Sequence, residues 1–125
     1  MNGVITFLLT MNPDSSLAFY RDTLGLTFVR DDSFALVFDM HGVMLRISRV
    51  PEFLPAQHTV LGWETSDIGA EVAALVRKGV SVERYPDMGQ DAQGICTFPT
   101  GDKVCWFKDP DGNLLSLSQH AAIRA

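Results

Sequence analysis

The order of the predicted elements repeats along the chain, and this repeat limits the folds that the chain can adopt. Residues 4–10, VITFLLT, are apolar and largely β-branched, and they predict a strand that is followed by a helix ending near Gly25. Residues 60–65 predict a second strand, again followed by a helix, which ends near Gly79. The segments GLTF and GVSV, which open at these two glycines, correspond at an offset of 54 residues.

Capping residues and apolar spacing predict the two helices. Asn12 can cap the first helix, and Pro13 suits its first turn. Asp67 can cap the second helix. Each helix has one apolar stripe to bury, formed by Leu17, Tyr20 and Leu24 in the first and by Ile68, Val72, Leu75 and Val76 in the second.

The remaining segments complete two similar modules. His41-Gly42 predicts a tight turn between two strands. The fold class is therefore α+β, although a single sandwich with accidental symmetry is the alternative that the pattern leaves open. We expect one domain, residues 1–125, with a βαβββ module at about 1–50, a linker at 51–58 and a second module at about 59–120. The further strands are predicted at 27–30, 34–39, 43–49, 80–83, 95–98, 104–108 and 114–118.

The charge of the chain argues against several classes of partner. The net charge is −5 and the isoelectric point is near 4.9, so a phosphate backbone would be repelled and we expect no nucleic-acid partner. The apolar run Val4–Leu9 is too short to span a bilayer, so we expect no membrane partner and a cytoplasmic location. Cys96 and Cys105 form no CxxC pair and indicate neither a zinc site nor a disulfide scaffold.

Three segments of the chain carry a resemblance to a known family: SLAFYRDTLGL at 16–26, LGWETSDI at 61–68 and VCWFKDPDGNLLSL at 104–117. They resemble the vicinal oxygen chelate superfamily, which includes glyoxalase I, extradiol dioxygenases, fosfomycin-resistance enzymes and bleomycin-resistance binding proteins. The resemblance extends over nearly the whole chain, and the DPDGN hairpin is its most specific part. It implies paired βαβββ modules whose mixed sheets curl around a cavity, with the helices outside, and it implies a homodimer.

The same resemblance allows the metal-ligand positions of the family to be located. Metal-dependent members place histidine, glutamine or glutamate at four positions, and none of the matching residues here is a good ligand for a divalent ion. We therefore expect no metal and no other cofactor. The four matching residues are Ile5, Arg46, Val60 and Ser116.

A rebuilt metal site is the alternative to this interpretation. His58, Glu64 and His120 would have to spread along about 13 Å of strand to form it. We favour the interpretation that the histidines are surface or loop residues.

Strand alternation predicts which side chains line the cavity. If the family's ligand positions face inward, their neighbours two residues away do so too. The predicted inward set is mixed, with apolar, aromatic and polar groups, which is typical of small-molecule sites. The predicted ligand-binding residues are Phe7, Leu9, Met44, Arg46, Glu64, Trp106, Ser116 and Ser118.

Arg46 and Glu64 are the charged members of this set. They could form a salt bridge that satisfies two buried charges. Alternatively, Arg46 could recognise an anionic or carbonyl group of a ligand through its planar donors. Trp106 could stack on a flat ligand or belong to the core.

Three functional classes follow from these features. We favour a glyoxalase/bleomycin-resistance-like protein that binds a small, partly apolar ligand without a metal. The alternative is a lyase, an isomerase or a dioxygenase-type enzyme with a non-standard site. In a metal-free isomerase, Glu64 would act as base and Arg46 as electrophile. The third class is a structural or partner-binding dimer.

Overall fold

The chain forms two compact units that repeat the same arrangement of strands. The computed structural model describes residues 1–121, and the last four residues of the predicted domain, 122–125, lie outside them. Each unit contains one four-stranded mixed sheet, so the predicted α+β class and the repeat of βαβββ modules are confirmed. The first unit consists of Met1–Pro55 with Asp109–Asn113, and the second consists of Ala56–Lys108 with the chain from Leu114 onward.

The first sheet contains four strands: β1 (Ile5–Thr10), β2 (Thr27–Asp31), β3 (Ala35–Met40) and β4 (Val43–Arg49). Their order in the sheet is β1-β4-β3-β2, and β1 runs parallel to β4 while the other pairs are antiparallel. The predicted bounds of β4 match the structure, and the predicted turn at His41-Gly42 is present with positive φ at both residues.

The helical segment of the first unit differs from its prediction. A short helix, α1 (Pro13–Ala18), continues into a π-helical turn at Phe19–Thr23 instead of running as one regular helix. Asn12 occupies the N-cap position, but its side chain caps no helix N–H group. The Asn12 side-chain amide donates instead to Asp111 Oδ1 at 3.3 Å. The side chain therefore bonds to a residue that is distant in sequence rather than to its own helix.

The second sheet contains β5 (Leu61–Glu64), β6 (Cys96–Thr97), β7 (Lys103–Lys108) and β8 (Leu114–Gln119), in the order β5-β8-β7-β6. The strand predicted at 80–83 is wrong, because only an isolated bridge joins Val82 to Phe107. The Gln90 side chain explains this difference. It donates to the carbonyl of Glu83 and accepts from the N–H of Tyr85, so it occupies backbone groups that a longer strand would pair.

The helix of the second unit, α2 (Ile68–Arg77), begins as predicted. Asp67 Oδ1 accepts from the N–H of Ala70 at 3.1 Å and caps the helix. Ile68 and Val72 are buried, but Val76 is 51% exposed, so the predicted apolar stripe was one residue too wide. Val76 lies about 80° around the helix axis from Ile68, at the edge of the buried face. No helix within residues 1–121 is both long enough and apolar enough to cross a membrane.

The first unit incorporates the Asp109–Asn113 turn through buried hydrogen bonds. Asp111 is buried, and its two carboxylate oxygens accept from Thr10 Oγ1 at 2.5 Å and from the N–H of Met11 at 2.8 Å. A buried carboxylate is tolerated only where hydrogen bonds replace its lost hydration. These donors lie about one hundred residues away in sequence, at the end of β1.

Asp109 forms the second centre of this buried network. Its Oδ1 atom accepts from the N–H groups of Asp111 and Asn113 at 2.9 Å, and its Oδ2 atom accepts from the Tyr20 hydroxyl at 2.6 Å. Tyr20 is fully buried and packs against Phe38, with 6.0 Å between the ring centroids. Burial, followed by the charge and hydrogen bond of Asp109, raises the pKa of the Tyr20 hydroxyl well above its ordinary value. Tyr20 therefore stays protonated and donates.

We predict that Tyr20→Phe lowers the free energy of unfolding by about 1–3 kcal/mol, because it removes a hydrogen-bond donor from a buried carboxylate. Urea denaturation measures the change. Tyr85→Phe is the matched control, since Tyr85 is exposed and the substitution keeps its ring contact with Trp106. Equal stability of Tyr20→Phe and the wild type would contradict the proposed role of the hydroxyl.

Candidate functional site

One face of the first sheet is open, and we call it the first open face. Burial alternates along β1 and β4, so that Leu8, Leu45 and Ile47 are buried while the residues between them are accessible. Phe7, at 64% exposure, is the most exposed side chain of the face. A large aromatic group surrounded by other apolar groups in contact with solvent is typical of a binding surface. The first open face consists of Ile5, Phe7, Leu9, Met44, Arg46 and Ser48.

The register of β1 and β4 places Arg46 among these apolar groups. Phe7 is the register partner of Arg46, and Ile5 is that of Met44. The Arg46 guanidinium does not point freely into solvent, because its Nη2 atom donates to Asp32 Oδ2 at 2.8 Å. Both side chains of this pair are about a quarter exposed. The first open face is thus apolar with one ion pair at its edge.

Asp32 is held in place by its own loop. Its Oδ1 atom accepts from the N–H groups of Phe34 at 3.0 Å and Ala35 at 2.8 Å. The backbone N–H of Ala35 and, next, the Arg46 guanidinium lower the pKa of Asp32 to about 2. The stabilisation from this ionised form is present above the ordinary value of 3.8 and is lost as the pH falls toward 2.

Asp32 is not among the predicted site residues. A salt bridge between Arg46 and Glu64 was one of the two predicted arrangements, whereas the carboxylate partner in the structure is Asp32, from the hairpin loop before β3. The Asp-Asp-Ser sequence at 31–33 carried a usable signal, because aspartate in such a loop accepts hydrogen bonds from N–H groups two or three residues later. Glu64 lies at the end of β5 in the second unit.

The second sheet also has an accessible face, which we call the second open face. Gly62, Ser116 and Trp106 are register neighbours across β5, β8 and β7, and so are Glu64, Ser118 and Val104. The opposite side of this sheet contains the buried residues Cys105, Phe107, Leu115 and Leu117. The second open face consists of Gly62, Glu64, Val104, Trp106, Ser116 and Ser118.

The predicted ligand-binding residues all lie on these two faces. Phe7, Leu9, Met44 and Arg46 lie on the first open face, and Glu64, Trp106, Ser116 and Ser118 lie on the second. Their role in binding stays a prediction.

Two details distinguish the second open face from the first. Trp106 packs edge-on against Tyr85, with ring centroids 5.5 Å apart, so part of its ring is already covered. A Cβ atom at Gly62 would stand 2.5 Å from Ser116 Oγ, so the glycine leaves room beside that hydroxyl. The second open face is therefore more polar and has less free aromatic surface than the first.

The residues at the family's metal positions do not fit a metal ion. Ile5 and Val60 have no donor atoms, Ser116 offers one neutral hydroxyl, and the Arg46 cation is already paired with Asp32. Within residues 1–121, no group of three histidine, cysteine, aspartate or glutamate side chains lies close enough together to hold a metal ion. The four residues at these positions therefore do not match the donor set of a metal-dependent site.

Comparisons with known proteins agree with the fold. The sequence model of the Glyoxalase/Bleomycin resistance protein/Dioxygenase superfamily matches residues 4–117. A lactoylglutathione lyase from Agrobacterium tumefaciens has a similar structure, with 19% identity and a TM-score of 0.71 over 93% of this chain and 91% of that one. A superfamily member from Sphaerobacter thermophilus DSM 20745 has 19% identity and a TM-score of 0.74 over 96% of this chain and 98% of that one.

A third similar structure is the integron cassette protein HFX_CASS4 from the mobile metagenome of Halifax Harbour Sewage Outfall. It has 22% identity and a TM-score of 0.71, over 95% of this chain and 99% of that one. At these identities the solved structures show the fold alone. A search of curated proteins found no match.

We predict that Arg46→Met raises the pKa of Asp32 but leaves it below 3.8, because the stronger contribution, from the N–H of Ala35, remains. Nuclear magnetic resonance titration of the aspartate side-chain carbons measures this shift. Arg49→Met is the matched control, since it removes a guanidinium that is bound to Asp31 rather than to Asp32. An unchanged Asp32 pKa in Arg46→Met would show that the pair does not form in solution.

Proposed function

Because the chain belongs to the Glyoxalase/Bleomycin resistance protein/Dioxygenase superfamily, we propose that it binds a small, partly apolar molecule without a metal ion. One observation carries the proposal: the exposed Phe7 side chain lies beside Arg46 on an otherwise apolar sheet face. A flat ligand lying on this face would cover the aromatic ring and place a polar group at the guanidinium.

The apolar part of the first open face would supply most of the binding energy. Ile5 and Phe7 are among the large apolar side chains that the chain leaves exposed, and Leu9 and Met44 are partly accessible beside them. Complete burial of one such side chain contributes about 1.5–3 kcal/mol. A ligand with an aromatic or branched apolar body would gain this contribution from several side chains at once.

The Arg46–Asp32 pair would determine the polar group of the ligand. Asp32 accepts from one donor of the guanidinium, while the other N–H groups remain able to donate to a ligand. Because Asp32 offsets the positive charge, a neutral carbonyl oxygen suits this position better than a strongly anionic group does. We therefore propose an apolar ketone, amide or ester as the class of ligand.

The assembly and the location of the protein are part of the same proposal. We propose a single domain that forms a homodimer in the cytoplasm. The edge strand β2 supports dimer formation, because it exposes Val29 and an unpaired strand edge favours association with another chain.

We predict that 2-acetylnaphthalene, a flat aromatic ketone, perturbs the backbone amide signals of β1 and β4 in a heteronuclear magnetic resonance titration. Phe7→Ala should weaken its binding by about 10-fold or more, because the variant removes buried apolar area. Arg46→Met should weaken binding of the ketone more than binding of 2-ethylnaphthalene, which lacks the carbonyl oxygen.

Phe98→Ala is the matched control for this experiment, since Phe98 is also exposed but lies in the second unit. It should leave the affinity for the ketone unchanged. The proposed site would be refuted if Phe7→Ala and Phe98→Ala changed the affinity for the ketone equally. It would also be refuted if binding of the ketone perturbed no amide signal of β1 or β4.

A further inference from the structure

A serine, a histidine and an aspartate lie close together at the end of the second sheet where β7 begins and β8 ends. Ser118 lies near the end of β8, and His120 directly follows the strand with its imidazole beside the Ser118 hydroxyl. The antiparallel register pairs Ser118 with Val104 and Gln119 with Lys103. Asp102 directly precedes Lys103 and His120 directly follows Gln119, and the two side chains are in contact.

The distances within this group fit a proton relay. Ser118 Oγ lies 3.1 Å from His120 Nε2, and His120 Nδ1 lies 3.6 Å from Asp102 Oδ2. The two imidazole nitrogens thus have different partners. In the tautomer with its proton on Nδ1, the Nδ1–H group would face the carboxylate and Nε2 would accept the serine proton. The distance of 3.6 Å between His120 Nδ1 and Asp102 Oδ2 is compatible with catalysis, because catalytic hydrogen bonds are often long without substrate and shorten when it binds.

Asp102 is fixed independently of the histidine. Its Oδ1 atom accepts from the N–H of Ala121 at 2.9 Å, and its own N–H donates to Thr100 Oγ1 at 3.3 Å. The N–H of Ala121 also holds the pKa of Asp102 below its usual range, so the carboxylate is ionised at neutral pH. The aspartate is therefore held in position to orient the imidazole.

From this geometry we propose that Ser118 is the nucleophile of an acyl-transfer site, with His120 as its base and Asp102 as the group that orients the base. A nucleophile within hydrogen-bond distance of a base, itself oriented by a third group, is the arrangement that defines such sites on unrelated folds. The proposal goes beyond ligand binding on the first open face and rests on the second unit alone.

The reaction would proceed in two balanced steps. Ser118 Oγ attacks the acyl carbon of an ester and its proton passes to His120 Nε2, which gives that proton to the departing alcohol as the ester C–O bond breaks. Water then attacks the acyl-serine and transfers a proton to His120. The same proton returns to Ser118 Oγ as the acyl–serine bond breaks, and a carboxylic acid is released.

The surroundings of Ser118 indicate the class of substrate. Ser118 is partly accessible, and its register partner on β5 is the carboxylate of Glu64. On the other side it neighbours Val104, an apolar side chain. A neutral, small acyl ester suits this position better than an anionic one, because the Glu64 carboxylate and the net charge of −5 would repel a second anion.

A fluorophosphonate probe tests the nucleophile directly, because it forms a covalent bond only with an activated hydroxyl group. We predict that the intact protein is labelled and that peptide mapping places the label on Ser118. Ser118→Ala should abolish labelling, and His120→Gln should slow it about 100-fold. Asp102→Asn should also slow it, since its amide oxygen would still accept from the N–H of Ala121 while its NH2 group would face His120 Nδ1 and favour the tautomer that cannot accept the serine proton.

Two substitutions outside the group serve as matched controls. Ser66→Ala and His41→Asn remove an exposed serine and an exposed histidine of the same chain, and both variants should be labelled at the wild-type rate. Absence of labelling in the wild type, or a label that persists in Ser118→Ala, would overturn the proposal.

A second measurement keeps the role of His120 testable if one of these variants folds poorly. Ser118→Cys places a thiol at the position of the hydroxyl, and its alkylation by iodoacetamide should be faster than that of the same variant carrying His120→Gln. The native cysteines, Cys96 and Cys105, are both buried and provide a slow internal reference. Equal alkylation rates with and without His120 would overturn the assignment of His120 as the base.

Discussion

The buried hydrogen bonds of Asp109 and Asp111 are the constraint on which the first unit depends. Two carboxylates are removed from water, and each is compensated by donors that come from β1 and from the segment after it. Either aspartate without these donors would destabilise the fold, because a buried and unpaired charge costs several kcal/mol, on the order of 3–5. The motif therefore stabilises the first unit, whatever chemistry its neighbouring strand performs.

This requirement explains why the DPDGN turn coexists with an unusual residue further along β8. Ser116 stands seven residues after Asp109, where metal-dependent members of the superfamily place a glutamate. The turn and position 116 have different roles. The aspartates of the turn stabilise the first unit, whereas Ser116 lies on the second open face. A serine at position 116 therefore leaves the hydrogen bonds of the turn intact.

The sequence predicted the parts of the fold that depend on local patterns. The bounds of β4, the cap at Asp67 and the alternation of buried and exposed side chains along β1 all follow from propensity and strand geometry. The errors arose where a distant group competes with a local one. Asn12 bonds to Asp111 rather than to its helix, and Gln90 takes backbone partners from the predicted strand at 80–83.

The candidate site shows the same division between local and distant information. Strand alternation was sufficient to place Phe7 on an open face, whereas the Asp32 partner of Arg46 depends on the conformation of a hairpin loop. The group of Ser118, His120 and Asp102 could not be recognised from spacing, because Asp102 reaches His120 only through the antiparallel register of β7 and β8. Long-range pairing of this kind leaves little trace in a single sequence.

We propose above that the chain binds its ligand without a metal ion. The most direct test measures the affinity for 2-acetylnaphthalene by calorimetry after exhaustive dialysis against a chelator, and again after dialysis against Ni²⁺, Zn²⁺ or Mn²⁺, with elemental analysis of each sample. The account predicts equal affinities and no stoichiometric metal in any sample. One tightly bound metal per chain, or binding that appears only when metal is present, would contradict it.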